Sequence, residues 1–133
     1  MNGITNLQKL ISSMNPILFT GEFVFITLPD AVYGEAAHLA PIASFVEREG
    51  STLIIPKDRA DAEAIDYDET FSMITLQIHS SLSAVGLTAA VSKILADEGI
   101  SANIVAAYFH DHVFVPSHRA DEALLALQQV GSI

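Results

Sequence analysis

The sequence predicts an α+β protein of two related lobes, each an antiparallel sheet covered by helices. Three observations predict it. β-Branched and aromatic runs come in pairs around a glycine or a short turn. A segment with helical spacing follows each pair. A fourteen-residue stretch then recurs sixty positions further along the chain.

In chain order, Ile4, Leu7, Leu10, Ile11 and Met14 share one helical face, and Asn15-Pro16 ends that helix because a proline ring cannot continue the turn. Thr20-Gly21 opens Glu22 to Leu28, a run short enough to be a buried strand. Residues 29–41 hold two prolines, Gly34 and His38, and read as a loop with one helical turn at Glu35 to Leu39. Ile42 to Glu49 and Ser51 to Ile55 form a hairpin about Gly50, where the turn needs positive φ. Pro56 ends the second strand, and Asp58 caps a short helix from Arg59 to Ile65. Asp61, Glu63, Asp66, Asp68 and Glu69 then make a solvated acidic connector without the spacing of a calcium loop.

Phe71 to Ile78 alternates like a half-buried strand. His79-Ser80-Ser81 leads into a helix from Leu82 to Glu98 that buries Leu87, Val91, Ile94 and Leu95, with Ser81 or Ser83 as N-cap and Gly99 as its end. Ala102 to Phe109 and His112 to Val115 form a second hairpin with His110-Asp111 at its turn. A last helix, Arg119 to Val130, buries Ala120, Leu124, Leu127 and Val130.

Residues 52–65 read TLIIPKDRADAEAI and residues 112–125 read HVFVPSHRADEALL, so Pro56, Arg59, Ala60 and Asp61 match Pro116, Arg119, Ala120 and Asp121. Each copy is the same supersecondary unit, a hairpin followed by a helix. The lobes then divide as residues 1–66 and 67–133. Residues 71–130 supply the first five elements of a split βαβ sandwich, and Gly131, Ser132 and Ile133 are too few for the sixth. Glu22 to Leu28 is the natural donor of the missing strand, which would intertwine the lobes.

Composition narrows the function. The 133 residues are 50% apolar and carry 6 Lys plus Arg against 16 Asp plus Glu, for a net charge of −10. Scattered basic residues cannot form the phosphate-neutralising patch that nucleic acid requires. The longest apolar stretch, about eight residues around Ala102 to Phe109 and interrupted by Asn103, is far short of the roughly 20 that span a bilayer. Spaced rather than continuous apolar positions in the first twenty residues give no signal-peptide core, and a cytoplasmic protein is expected. The absence of cysteine excludes disulfides, thiolate metal sites and cysteine nucleophiles. So apolar a chain either fits its greasy residues into one small core or buries some against another subunit, and a homodimer or larger homo-oligomer is expected.

Val85-Gly86-Leu87-Thr88-Ala89-Ala90, Ile100-Ser101-Ala102-Asn103-Ile104 and Tyr108 to Pro116 resemble an ACT domain. In particular they resemble short bacterial ACT-like proteins whose C-terminal half is similar to modules of aspartokinases and CASTOR-type arginine sensors. Glu22-Phe23-Val24-Phe25 and Phe45 to Gly50 look like the other half of such proteins, so the likeness spans nearly the whole chain. It implies a ferredoxin-like fold and a non-catalytic regulatory role, with an amino acid bound near the loop from a lobe's first strand into its first helix. Carried onto this chain, that loop is His79 to Gly86, including Ser80, Ser81, Ser83 and Val85, with Asn103 and Ile104 on the facing strand. ACT domains usually regulate an attached enzyme, for which this chain has no room.

An amino-acid ligand needs acceptors for its ammonium and donors for its carboxylate. Backbone N–H groups at the helix start and the hydroxyls of Ser80, Ser81 and Ser83 are donors, Asn103 adds an amide and Asp111 a counter-charge. The same serines serve equally as helix caps, and Gly86 suits either close ligand approach or simple packing. His110 and His112, two apart in an extended segment, face the same way. With His79 they form the alternative, a zinc or nickel site of a metal-binding protein or metal-dependent enzyme. A purely structural dimerisation module is the third reading. The nucleophile elbow, phosphate loops, dinucleotide fingerprint and zinc-protease helix are all missing from the sequence. Glu47 and Glu49 share a strand face but read as exposed strand-end charges. No catalytic constellation and no cofactor are predicted.

Overall fold

The structure, a computed structural model, describes residues 11–30, 32, 34–78 and 86–131. It divides into two compact units, one running from Thr20 to Phe71 and the other combining the segment that ends at Phe19 with the chain from Ser72 onward.

In the N-terminal unit, β2 (Phe23–Leu28) pairs antiparallel with β4 (Gly50–Pro56), which pairs antiparallel with β3 (Ala43–Glu47). β3 is therefore an edge strand. Val24 and Ile26 on β2, with Leu53 and Ile55 on β4, turn one face toward Leu39 and Ala60 to make the core. Leu39 belongs to a three-residue 3-10 turn, Ala37–Leu39, and Ala60 to helix α1 (Lys57–Ala62). Gly50 opens β4 at φ +151°, and a Cβ there would stand 2.7 Å from the Cα of Pro29. Both the backbone conformation and the close approach thus require glycine. Asp58 lies within the first turn of α1 and the N-cap is Pro56, so the capping role expected of Asp58 is not realised. In the acidic connector Asp61 accepts hydrogen bonds from Lys57 Nζ and Tyr67 Oη, each at 2.8 Å, and Glu63 lies 3.7 Å from His38 Nε2.

In the C-terminal unit, β5 (Phe71–Leu76) lies beside β7 (Asp111–Pro116), which pairs antiparallel with β6 (Asn103–Ala106). The remaining strand is β1 (Pro16–Leu18), antiparallel to β5 through Pro16↔Leu76 and Leu18↔Ile74. This corrects the expectation that Glu22 to Leu28 fills that place. β2 spends its full length on β4, and its Phe23 pairs with Phe71 of β5, the last residue of the N-terminal unit itself. The split βαβ sandwich is completed by a strand that precedes its other elements in the sequence.

Alternation along β5 is as regular as the sequence implies, with Ser72, Ile74 and Leu76 buried. Helix α2 (Leu87–Asp97) buries Leu87, Val91 and Leu95, and helix α3 (Ala120–Gly131) contributes Ala120, Ala123 and Leu127 to the same core. Each buried leucine or valine adds about 2 kcal/mol. α2 is N-capped by Gly86, and the expected start at Leu82 with Ser81 or Ser83 as cap lies outside the described residues. The hairpin turn also shifts. Ala107 N–H donates to the His110 carbonyl at 3.0 Å, so Tyr108 and Phe109 occupy the tip and Asp111 already belongs to β7.

The internal repeat has a structural counterpart. Pro56 and Pro116 share one conformation, φ −58° and ψ 138° against φ −53° and ψ 134°. Arg59 Nη1 donates to the carbonyl of His38 at 2.7 Å, and Arg119 Nη2 donates to that of Glu98 at 3.0 Å. His38 and Glu98 are themselves sixty residues apart. In both units the repeated arginine satisfies a backbone acceptor left at the end of the preceding helical element.

Candidate functional site

The polar residues singled out above converge partly at one end of the C-terminal unit. The turn after β6 delivers His110 and Asp111 to the start of β7, and alternation puts the His110 and His112 rings on one side, 6.5 Å apart and nearly perpendicular. Thr75, near the end of β5, is 2.9 Å from His112 through Oγ1 and Nδ1. The end of β5, from which the chain proceeds toward α2, therefore lies against this hairpin.

The surroundings are dry enough to shift titrations. Burial pushes the Asp111 carboxyl up, partly opposed by His112. Burial also lowers His112, the nearby His110 adds to that, and Asp111 opposes it. His110 Nδ1 is buried and has no hydrogen-bond partner among the described residues. Tyr108 and Phe109 stand exposed at the tip, stacked edge to face at 5.0 Å.

Gly86 sits at the N-cap of α2 with φ +101° and ψ −18°, a conformation that disfavours any side chain. No side chain among the described residues caps this helix. Asn103 and Ile104 fall elsewhere. Asn103 is exposed and pairs with Phe114, about 10 Å along β6 from the Ala106↔Asp111 pair. Ile104, opposite Val113, packs half-buried against the core. His79, Ser80, Ser81, Ser83 and Val85 lie outside the described residues.

The described residues include no group of three or more His, Asp or Glu side chains placed to hold a metal ion. Two imidazoles sharing one tetrahedral zinc, with Zn–N of about 2.0–2.1 Å, bring their centres to about 5–5.5 Å, closer than His110 and His112 stand. Glu47, half of the carboxylate pair noted above, accepts a hydrogen bond from the Thr52 hydroxyl on the neighbouring strand.

Thr75 and the Tyr108–Phe109 tip have no counterpart in the sequence reading. Thr75 is, like Thr52, a half-buried strand threonine with nothing to single it out until the pairing with β7 is known.

An ACT-domain family model matches residues 2–72, and a second ACT-domain model matches residues 69–129. The chain belongs to the ACT-domain family. Among solved structures, a Vibrio cholerae protein of unknown function, described as a possible transport protein, is 46% identical over 90% of this chain and 91% of its own, with a TM-score of 0.83. An Agrobacterium tumefaciens protein shares the fold at 17% identity over 83% of this chain and 81% of its own, with a TM-score of 0.65. The ligand-free regulatory subunit of aspartate kinase from Thermus thermophilus does so at 16% identity over 86% and 95%, with a TM-score of 0.59. No curated protein sequence matches the chain. The ACT assignment accounts for the ferredoxin-like arrangement of both units, and ACT domains are typically regulatory. Among the described residues no helix is long and apolar enough to cross a membrane.

Proposed function

We propose that the chain is a non-catalytic cytoplasmic sensor that binds an amino acid at the end of its C-terminal unit, around Gly86, His110 and Asp111. His79, Ser80, Ser81, Ser83 and Val85, which lie outside the described residues, are the further ligand contacts that this reading takes from the sequence. The observation that carries the reading is the Nδ1 of His110, buried and without a hydrogen-bond partner among the described residues. Polar groups held away from water without partners cost free energy that a ligand's own donors and acceptors can return. A polar group of the ligand can pair with that Nδ1, the Asp111 carboxylate offers a counter-charge at the start of β7, and backbone N–H groups at the start of α2 suit a carboxylate. Likeness to an aspartate kinase regulatory subunit supports a regulatory role.

Regulation by such a protein is linkage, in which a ligand that prefers one arrangement shifts the population toward it and changes affinity for a partner. Phe45 on the edge strand β3 and the Tyr108–Phe109 tip leave apolar surface in water, which supports a homodimer or larger homo-oligomer. A thermal-shift screen of the full chain against the twenty amino acids tests the reading. A ligand at 100 times its Kd adds about 2.7 kcal/mol. At least one amino acid raises Tm by several degrees, and no stabilisation by any of them at millimolar concentration contradicts the proposal.

A further inference from the structure

We propose that the N-terminal unit holds a second binding cavity, for a small, uncharged and largely apolar molecule. A cavity of about 460 Å³ lies between the 3-10 turn and strands β3 and β4, walled by Pro41, Ile42, Val46 and Leu53 together with alanines of the turn. This volume is within the range of about 300–1,000 Å³ typical of small-molecule sites. Its cause is local. The three residues Ala37–Leu39 cover only part of a sheet face that a full helix would close. Pairing of Ser44 with Leu53 and of Val46 with Ser51 puts these side chains on that face, and Val46 is left 74% exposed.

Charge complementarity identifies the occupant. Among the described residues that line it none is charged, and their side-chain polar atoms are the hydroxyls of Ser44 and Ser51. A zwitterion entering here would lose water from its ammonium and carboxylate with no counter-charge to replace it. A cation finds no carboxylate, and an anion meets a chain of net charge −10. A neutral ring or branched hydrocarbon with one or two hydrogen-bonding atoms matches both the walls and the hydroxyls. The site differs in place and chemistry from the one around His110 and stands whether or not that one binds an amino acid.

Titration of the ¹⁵N-labelled full chain with indole, and separately with L-tryptophan, tests the proposal, because tryptophan adds a zwitterionic head to the same ring. Indole is expected to give saturable shifts at the amides of Ile42, Val46 and Leu53, with tryptophan at least tenfold weaker at those positions. Val46→Lys, at an exposed position that leaves the fold intact, weakens indole at least tenfold while the rest of the spectrum is retained. The proposal is overturned by any of four results. These are no saturable shift there up to the solubility of indole, equal binding of indole and tryptophan, indifference to Val46→Lys, or shifts at these residues that follow protein concentration without indole, which would make a second copy the occupant.

Discussion

In the C-terminal unit an eleven-residue helix, Leu87–Asp97, follows the first strand, whereas the N-terminal unit has only the turn Ala37–Leu39 at the equivalent place. Around that difference the two units are built alike, with a hairpin, a proline in one conformation and an arginine anchored on a carbonyl sixty residues from its counterpart. The difference shows that the covering helix decides where apolar surface is left. Where it is long, leucine and valine side chains close the core. Where it is a single turn, a cavity and an exposed Val46 remain beside an edge strand.

Substitutions in the two units break this comparison in graded ways. The largest effect belongs to Gly50→Ala, which meets both a positive φ and the Pro29 backbone and should cost about 3 kcal/mol in urea unfolding. Gly99→Ala, at φ +70° with nothing within 4 Å of the new Cβ, carries strain alone and should cost about 1 kcal/mol. The repeated arginines come next. Arg119 donates to the Glu98 and Gly99 carbonyls and to Glu122, so Arg119→Ala should cost about 2 kcal/mol. Arg59 has one carbonyl, and Arg59→Ala should cost about 1 kcal/mol. Equal losses would mean that the two anchors are not graded by their bonds.

A smaller, opposite change is expected at Ala40, which holds φ +52° after the turn where the C-terminal unit uses Gly99 at φ +70°. Ala40→Gly should stabilise by about 0.5 kcal/mol, the relief of strain exceeding the entropy that glycine adds to the unfolded chain. The smallest effects are titrations at the β6–β7 hairpin. His112 is lowered by burial, so its neutral form is favoured in the fold and stability is lost as pH falls below its ordinary value of about 6.5. His112→Gln should flatten the decline of Tm between pH 7 and 5. Asp111 is raised, so its ionised form is the disfavoured one and its penalty is relieved as pH falls toward about 4. Asp111→Asn should raise Tm at pH 7, with the gain vanishing near pH 4.

Much of the fold is legible in the residues. The alternation of Phe71 to Leu76 and the stripe Leu87, Val91 and Leu95 are period signals strong enough to survive any packing, and the Pro-x-x-Arg-Ala-Asp repeat reports a real structural equivalence. The fourth strand of the C-terminal sheet is not legible, because three residues that begin with a proline have no alternation to read and their pairing with β5 is long-range. Nor is the hairpin turn. Tyr108 and Phe109 have strand propensity, and only the Ala107–His110 bond puts them at the tip. At the candidate site, His110 and Asp111 are visible as chemistry in the sequence, whereas Thr75 becomes part of it through a pairing across 37 residues.

The central claim is that ligand recognition belongs to the end of the C-terminal unit where β5 meets the β6–β7 hairpin. Its most direct test is a ¹H–¹⁵N map of the full chain titrated with whichever amino acid raises Tm most. The account predicts saturable shifts at Thr75, Gly86 and residues 110–112. Shifts confined to residues 42–53, or none that saturate, would contradict it.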